Sequence, residues 1–283
     1  MKLAWIVAGV LAAQAALLPA QNHTETVGQA ELTGIAHIAF RVSDVDQEEN
    51  FFGKLGFEEA FSHVLDGHAL AAVLKINDHQ FIEVYPRTDA SQTLGLMGIS
   101  YEAPDLKALR QHYLTEGLRP SLARPSPANN IIFSLLDTDS RNVEFTQYLP
   151  EGRQMMDNGQ HLGEQRVSNE LIGFVMPVTN VEAARSFYEK LGFTAEPDGS
   201  DVRLTLPANG DLRIELRPMR AGDQPQFLFP VDDARHAADA LKKAGLEVDR
   251  EKGLVFVHDP DGNAFVLLQT GTPSRRRFIP WRR

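Results

Sequence analysis

The two halves of the chain share a repeated phrase but differ in one histidine. Residues 34–57 read GIAHIAFRVSDVDQEENFFGKLGF, and residues 170–193 read ELIGFVMPVTNVEAARSFYEKLGF. His37 stands eighteen residues before the LGF triplet of the first copy, and Gly173 stands at the same distance before the second triplet. An imidazole carries protons at neutral pH or binds a metal ion, whereas glycine does neither. The first half of the chain therefore has a candidate for chemistry that the second half lacks.

Other kinds of catalytic site are excluded or unsupported by the residue types present. The 283-residue chain contains no cysteine, which excludes thiolate catalysis and cysteine-ligated zinc. Its isolated glycines form no phosphate-binding loop, and its serines and nine histidines form no nucleophile-elbow or triad pattern. The net charge of −10 disfavours a nucleic-acid groove in the folded part, so we expect no nucleic-acid partner.

The two ends of the chain carry signals for location rather than for chemistry. Lys2 precedes an apolar stretch at residues 3–18, which is short for a bilayer span of about 20 residues. The stretch is typical of a signal peptide, residues 1–20, cleaved near Ala20. We expect a periplasmic or secreted protein with no stable membrane span after cleavage; the alternative is a retained N-terminal anchor. The basic C-terminal tail, residues 271–283, contains five arginines and is expected to be solvated or docked on the protein's own acidic surface; the alternative is contact with an anionic lipid or polymer.

A strand followed by a capped helix occurs four times along the chain. Each helix is expected to begin after an acid or amide that caps its first turn: Asp44, Asp105, Asn180 and Asp233. Each is expected to end at a glycine, which tolerates the left-handed conformation of a helix terminus: Gly56, Gly117, Gly192 and Gly245. Short alternating strands follow every helix, so each unit reads β-α-β-β-β. We predict an α+β protein of four tandem βαβββ units, paired into two domains at residues 31–149 and 168–270, with a linker at 150–167.

Several motifs occur together along the chain. They are the phrase H-x-x-x-x-V-x-D at residues 37–44, the LGF triplet, the I-E-x-x-P strand at 82–86 and the D-P-D-G-N turn at 259–263. This combination resembles the vicinal oxygen chelate superfamily, which includes glyoxalase I, extradiol dioxygenases and bleomycin-resistance proteins. The resemblance covers nearly all of the chain after the signal peptide. It implies that two βαβββ units pair into a curved, open sheet that cups one site for a small-molecule ligand.

The resemblance also implies up to four metal-ligand positions in each domain. In the first domain they fall on His37, Glu83, Gly98 and Glu144, and in the second on Gly173, Glu215, Gln226 and Val266. We therefore expect the first domain to bind a divalent metal through His37, Glu83 and Glu144. Water or a nearby histidine would fill the gap left by Gly98; the candidates are His63, His68 and His79. The donors suit Mn, Fe, Co, Ni or Zn without choosing among them, and the remaining alternative is no metal.

The alternation of side chains along the strands agrees with this assignment independently of the resemblance. In a strand, residues i and i+2 lie on the same face. Ile38 and Phe40 lie on the apolar face of the first strand, which puts His37 on the other face. The same alternation puts Glu83 and Glu144 on the faces opposite to their apolar neighbours. The three donors are thus expected to converge inside the cup.

Further roles are predicted for residues that share the faces of these donors. Glu83 and Glu144 are candidates for proton transfer, because a carboxylate in a partly closed apolar cup can have a raised pKa. The substrate-binding candidates are Arg41, Phe81, Tyr85, Ser100 and Tyr148. In the second domain, two arginines flank Glu215 and form either an ion-pair row or an anion site: Arg213 and Arg217. Because two guanidinium groups repel a divalent cation, the second domain is expected to be metal-free.

The function favoured by these residues is that of an exported, glyoxalase-like, divalent-metal-dependent enzyme. It would be of lyase or isomerase type and act on a small vicinal-oxygen substrate in the first domain. Gly98 replaces a histidine that dioxygenases of this superfamily use, so a dioxygenase is less favoured. The alternative is a non-catalytic protein that binds a small molecule without metal, similar to antibiotic-sequestering members. A third hypothesis gives the second domain a structural or assembly role, and we expect a monomer or a homodimer.

Overall fold

The computed structural model describes residues 31–65 and 68–270, which form two eight-stranded β-sheets. For residues 65 and 68–70 only the backbone is described. The signal-peptide prediction for residues 1–20 and the prediction for the C-terminal tail, residues 271–283, lie outside the described residues.

The first domain contains two consecutive βαβββ units. The first unit runs β1 (Gly34–Val42), α1 (Val45–Lys54), β2 (Glu58–Leu65), β3 (His68–Lys75) and β4 (Phe81–Pro86). The second runs β5 (Gly95–Glu102), α2 (Leu106–Thr115), β6 (Arg124–Pro125), β7 (Ile131–Leu136) and β8 (Asn142–Gln147). Since β1 is parallel to β4 and antiparallel to β5, the strand order is β2-β3-β4-β1-β5-β8-β7-β6. The two units therefore join at β1 and β5 to make one sheet.

The second domain repeats this arrangement after a linker helix, α3 (Arg153–Met156). The third unit runs β9 (Gly173–Val178), α4 (Val181–Lys190), β10 (Thr194–Asp198), β11 (Asp201–Leu206) and β12 (Asn209–Pro218). The fourth runs β13 (Gln226–Val231), α5 (Ala234–Lys243), β14 (Asp249–Glu251), β15 (Leu254–His258) and β16 (Ala264–Gln269). The strand order is β10-β11-β12-β9-β13-β16-β15-β14. The predicted α+β class, with four tandem βαβββ units paired into two sheets, is confirmed.

Local sequence signals define both ends of the helices that follow the first strand of each unit. All four predicted cap side chains accept a hydrogen bond from a backbone amide two or three residues further on: Asp44, Asp105, Asn180 and Asp233. The four predicted terminal glycines have positive φ angles: Gly56, Gly117, Gly192 and Gly245. The caps supply acceptors that the first turn lacks, and the glycines turn the chain away from the last turn. Within the described ranges, no helix is long and apolar enough to span a membrane.

A continuous apolar core joins the helix-bearing faces of the two sheets. Phe40 of β1 contacts Phe227 and Phe265 of the second domain, with ring centroids 5.1 and 5.8 Å apart. Phe52 of α1 also contacts Phe265, at 5.3 Å between centroids. Phe40 lies on the face of β1 predicted to be apolar, opposite to His37. The contact between the domains therefore uses the helix-bearing faces and leaves the concave face of each sheet for other roles.

The linker between the domains is anchored on the first domain. Lys75, the last residue of β3, is fully buried, and its ammonium group donates to the carboxylates of Asp157 at 2.9 Å and Asp78 at 2.8 Å. The guanidinium of Arg153 in α3 lies 4.3 Å from the centroid of the Phe61 ring in β2. Because these contacts hold the linker against β2 and β3, α3 lies at the edge of the first sheet's concave face.

Candidate functional site

The concave face of the first sheet encloses a cavity of about 320 Å³. Six side chains in its lining carry ionisable groups: His37, His63, Glu83, Tyr85, Arg124 and Glu144. Gln154 of α3 lines the cavity as well, and it accepts a hydrogen bond from the Asn130 amide at 2.6 Å. The linker therefore completes a cavity that the sheet alone leaves open.

Strand register brings three of the predicted donors to one face of the sheet. His37 of β1 is paired with Ser100 of β5, and Ser100 is paired with Glu144 of β8. Ala39, two residues after His37, is paired with Glu83 of β4. Paired residues on neighbouring strands share a face, so the three side chains point into the same cavity.

Two imidazoles and two carboxylates form a chain of close contacts, which we call the donor cluster: His37, His63, Glu83 and Glu144. Glu144 Oε1 lies 3.4 Å from His37 Nε2, and Glu83 Oε2 lies 3.9 Å from the same nitrogen. Glu83 Oε1 lies 3.5 Å from His63 Nε2. Tyr85 donates a hydrogen bond of 2.7 Å to Glu83 Oε2, and its ring stacks on that of His63. Glu83 is thus the centre of the donor cluster, and three neighbours orient its carboxylate.

Burial and charge pairing shift the pKa values at the centre of the donor cluster. Burial disfavours the charged imidazolium of His37, but Glu83 and Glu144 outweigh burial and raise the pKa of His37 from 6.5 to about 9. Burial also opposes ionisation of Glu83, but His37, His63 and Tyr85 outweigh it and lower the pKa of Glu83 to about 2. Because a metal-bound imidazole is neutral, a divalent ion at His37 would displace a proton.

The donor cluster fits a divalent metal in its residue types and nearly in its spacing. Adjacent donor atoms about 2.1 Å from one ion lie about 3.0–3.5 Å apart in octahedral or tetrahedral geometry, and opposite donors of an octahedral ion lie about 4.2 Å apart. The contacts between His37, His63 and the two glutamates measure 3.4, 3.5 and 3.9 Å. In the part of the chain that the structure describes, no three His, Asp or Glu side chains already surround one metal position. Side-chain rotations are therefore needed before three of these donors meet at one ion.

Comparison with known protein families identifies part of the chain directly. Residues 171–267 match the family model described as Glyoxalase/Bleomycin resistance protein/Dioxygenase superfamily. The second domain belongs to this superfamily. The predicted resemblance to the vicinal oxygen chelate superfamily is therefore confirmed. No curated protein gives a significant match to the chain.

Solved structures of vicinal oxygen chelate proteins share the fold along most of the chain. The 2,3-dioxygenase LapB from Pseudomonas sp. KL28 has a TM-score of 0.65 at 15% identity, covering 88% of this chain and 96% of its own. The Mn(II)-bound glyoxalase from Novosphingobium aromaticivorans has a TM-score of 0.62 at 18% identity, covering 84% and 82%. A variant of homoprotocatechuate 2,3-dioxygenase from B. fuscum has a TM-score of 0.63 at 15% identity, covering 89% and 76%. At these identities the likeness establishes the fold and leaves the reaction open.

The third ligand position of the vicinal oxygen chelate pattern is closed by backbone packing. A Cβ atom added to Gly98 of β5 would lie 2.8 Å from the carbonyl oxygen of Asn142 and 3.1 Å from its side-chain Nδ2. Real Cβ atoms do not approach a carbonyl oxygen so closely, and β8 would have to move. Gly98 is therefore a position where β5 and β8, both strands of the second βαβββ unit, lie too close together for a side-chain ligand.

His63 joins the donor cluster from the edge of the sheet. Of the three histidines considered for the gap at Gly98, His79 is exposed and contacts Glu102 at 3.1 Å, and the side chain of His68 is outside the described residues. His63 is buried and contacts Glu83. The alternation of side chains along β2 does not show that His63 faces the cavity, because the pairing of β2 with β3 is interrupted on both sides of Phe61–His63. Its contact with Glu83 could be found only from the structure.

The predicted substrate-binding residues lie in different places. Tyr85 lines the cavity. Phe81 and Ser100 have no exposed surface, and the hydroxyl of Ser100 lies 2.8 Å from the hydroxyl of a β8 threonine. Tyr148 donates a 3.1 Å hydrogen bond to a backbone carbonyl, and Arg41 donates one of 3.4 Å to another. These four residues are outside the cavity lining, so their substrate-binding role stays a prediction.

The concave face of the second sheet holds an ion-pair row and apolar side chains. A Cβ atom at Gly173 would lie 1.6 Å from the carbonyl oxygen of Arg213, so the position that corresponds to His37 accepts glycine alone. Arg217 is buried and contacts Glu215 at 2.6 Å and Asp201 at 3.2 Å. A separate apolar cluster is buried on the same sheet: Val175, Leu228, Phe256 and Val266. Glu215 is thus engaged by an arginine, and the anion site at Arg213 and Arg217 stays a prediction with one guanidinium already paired.

Proposed function

We propose that the first domain is a divalent-metal-dependent active site of lyase or isomerase type that acts on a small substrate with two vicinal oxygens. The proposal depends on one observation, the close contacts among the side chains of the donor cluster inside a partly enclosed cavity. Two imidazoles and two carboxylates suit Mn, Fe, Co, Ni or Zn. A glyoxalase with the same fold is Mn(II)-bound, which supports a metal-dependent function for this fold.

The two carboxylates are expected to have different roles in the reaction. When bound, the divalent ion would supply a Lewis acid for the two oxygens of the substrate. Glu83 is held by Tyr85 and His63, so it serves as a fixed ligand. Glu144 contacts His37, and its side chain is 16% exposed, compared with 8% for Glu83. Glu144 therefore faces the substrate and is the group that moves a proton from one substrate atom to another.

The number of donors favours a lyase or isomerase over a dioxygenase. Iron oxygenases of the facial-triad type use two histidines and one carboxylate, which leaves three open positions on the metal. Four protein donors would leave two positions of an octahedral ion. These two positions would suffice for the vicinal oxygens of a substrate, with none left for dioxygen. Glu144 would complete this set of four through one carboxylate oxygen and keep its other oxygen available for proton transfer.

Metal binding to the purified protein tests this proposal. We expect about one equivalent of divalent ion per chain after incubation with Mn, Ni or Zn. His37→Ala and Glu144→Ala each remove a donor, and each should weaken binding by at least about 100-fold in calorimetric titrations. Glu215→Gln is a matched control in the second domain and should bind the ion as the wild type does. A wild type that stays metal-free, or an equal loss in Glu215→Gln, contradicts the proposal.

A non-catalytic binding protein is the second candidate function. It is favoured by the ion pairs of the donor cluster, which already satisfy the four side chains in part without a metal. Such a protein binds its ligand with the same affinity before and after treatment with a chelator. Dependence of ligand affinity on the metal would instead support the enzyme.

We also propose that the protein is exported. The proposal is based on the apolar segment at residues 3–18 and on the polar residues that follow Ala20. Cell fractionation with mass measurement should give a periplasmic or secreted chain that lacks about the first 20 residues. A full-length chain in the cytoplasm would contradict export without affecting the proposal for the active site.

A further inference from the structure

We propose that Arg124 makes the cavity of the first domain select small substrates that carry a carboxylate group. This inference rests on the proposed metal-dependent function for the reacting end of the substrate and adds a recognition group for the other end. Arg124 lies in β6, a two-residue edge strand, where it is paired with Ile132 of β7. Two residues are too few for a face to be assigned from the sequence, and Arg124 was not among the predicted substrate-binding residues.

The guanidinium of Arg124 has no partner within the described part of the protein. Among the described residues that line the cavity, Arg124 is the one lysine or arginine. No ion pair or hydrogen bond joins its guanidinium to a described residue. By contrast, Arg41 donates to a backbone carbonyl and Arg153 covers the ring of Phe61. Arg124 lies within electrostatic range of the Tyr85 hydroxyl, the group that donates to Glu83. An exposed guanidinium without a partner among the described residues therefore lines the cavity that holds the donor cluster.

The charge balance of the cavity points to a monoanionic ligand. Glu83 and Glu144, when ionised, balance the two positive charges of a divalent ion, while a metal-bound His37 is neutral. The charge of Arg124 is then left over. One guanidinium forms a bidentate pair with one carboxylate, and because Arg124 is exposed at the cavity lining, water screens this pair in part. The whole chain has a net charge of −10, which repels anions. An anion would therefore be attracted to the cavity only by the positive charge within the cavity itself.

The volume of the cavity limits the size of the acid. About 320 Å³ is at the lower end of the range for small-molecule sites, roughly 300–1,000 Å³. The lining between the charged groups is apolar and includes Ala39, Met97 and Ile132. This combination suits a monocarboxylic acid of on the order of ten to fifteen non-hydrogen atoms, with a hydrocarbon middle. Its vicinal oxygens would lie at the donor cluster and its carboxylate at Arg124.

A pair of probes that differ in charge tests the inference. Phenylacetate and phenylacetamide have nearly the same shape, and NMR titration measures the affinity of the mature protein for each. In metal-free protein the carboxylate has no metal to bind, so any preference for the acid reports on a protein cation. We expect the wild type to bind phenylacetate about tenfold more tightly than phenylacetamide, and Arg124→Gln to bind both equally. Arg235→Gln, at an exposed position of α5, is the control and should keep the preference.

The outcomes separate this inference from the proposed function. Equal binding of acid and amide by the wild type overturns the role of Arg124, and so does loss of the preference in Arg41→Gln instead of Arg124→Gln. Mn(II) titration of Arg124→Gln should match that of the wild type, because Arg124 is not a metal donor. If the wild type binds no metal but prefers the acid through Arg124, the proposed function fails while the anion site stands. If it binds metal but shows no preference, only the anion site fails.

Discussion

Close backbone contacts at two glycines decide which residues in the two sheets can carry a ligand. Gly98 faces the carbonyl oxygen of Asn142, and Gly173 faces that of Arg213. In both cases a β-carbon would meet the neighbouring strand rather than open space. Packing therefore requires glycine at both positions. The missing ligand at each is a consequence of how closely the neighbouring strands approach.

Restoring a histidine at Gly98 should damage the fold rather than repair the site. Gly98→His places a Cβ atom 2.8 Å from a backbone carbonyl oxygen, so β8 must shift. We expect a loss of about 2–3 kcal/mol in the free energy of unfolding, measured with urea, and no gain in metal affinity. Gly53→Ala in α1 is the control, since nothing lies within 4 Å of its Cβ position, and it should be neutral or stabilising. A stable Gly98→His variant with tighter metal binding would show that the strands can separate.

Among the secondary-structure elements, the short and irregular ones complete the site. The long strands β1, β4 and β8 supply His37, Glu83 and Glu144. The interrupted strand β2, the two-residue strand β6 and the linker helix α3 supply His63, Arg124 and Gln154. The linker is therefore part of the first domain's cavity and not a passive connection. Its position depends on the buried ammonium group of Lys75.

Removing one partner of Lys75 should loosen the linker. Lys75 is fully buried, and Asp157→Asn leaves its charge with Asp78 and a backbone carbonyl. Leaving a buried charge without its partner costs about 3–5 kcal/mol. Because Asp78 remains as a partner, we expect Asp157→Asn to lower the free energy of unfolding by about 2–3 kcal/mol. Urea unfolding measures the change, with the exposed Asp239→Asn as a control expected to stay within about 0.5 kcal/mol. Equal stability of both variants would mean that Asp78 alone compensates the charge.

For the whole molecule, the contact between the domains contains an acid that the second copy of the repeat lacks. Glu48 of α1 is 1% exposed, and neither carboxyl oxygen has a well-formed hydrogen bond among the described residues. The corresponding residue of α4 is Ala184. The turn of the second domain that contains Asp259 and Asp261 docks here, with Asp261 accepting a 2.7 Å hydrogen bond from the amide of Ser43. Burial, together with Asp259 and Asp261, raises the pKa of Glu48 from 4.5 to about 9, which an interaction with the Asp261 backbone opposes only in part.

This raised pKa makes stability depend on pH in a defined direction. Between about pH 5 and 9 the unfolded chain ionises Glu48 while the folded protein keeps it protonated, so the contribution of Glu48 to stability is lost as the pH rises. Glu48→Gln cannot ionise, so it should exceed the wild type by at least about 1 kcal/mol at pH 8 and approach it near pH 5. Urea unfolding at both pH values measures the difference. The exposed Glu182→Gln should show no such pH-dependent gain, and a pH-independent difference for Glu48→Gln would contradict the buried, protonated state.

The sequence was sufficient for the fold because its signals are local. Asp44 and Gly56 define α1 through contacts within a few residues, and the alternation around His37 assigns its face without knowledge of any partner strand. The second copy of the repeat lies 136 residues after the first, so the same interpretation extends to the second domain. The faces of Glu83 and Glu144 followed in the same way, so the centre of the candidate site was accessible before the structure.

The rest depends on contacts between residues far apart in the chain, which local patterns do not encode. His63 and Arg124 come from opposite edges of the first sheet and reach one cavity only because the sheet curves. The closure of Gly98 depends on the approach of β8, and the buried state of Glu48 depends on a turn more than 200 residues away. Each is set by the distance between packed elements, a property that appears only when the sheets have curled and the domains have docked.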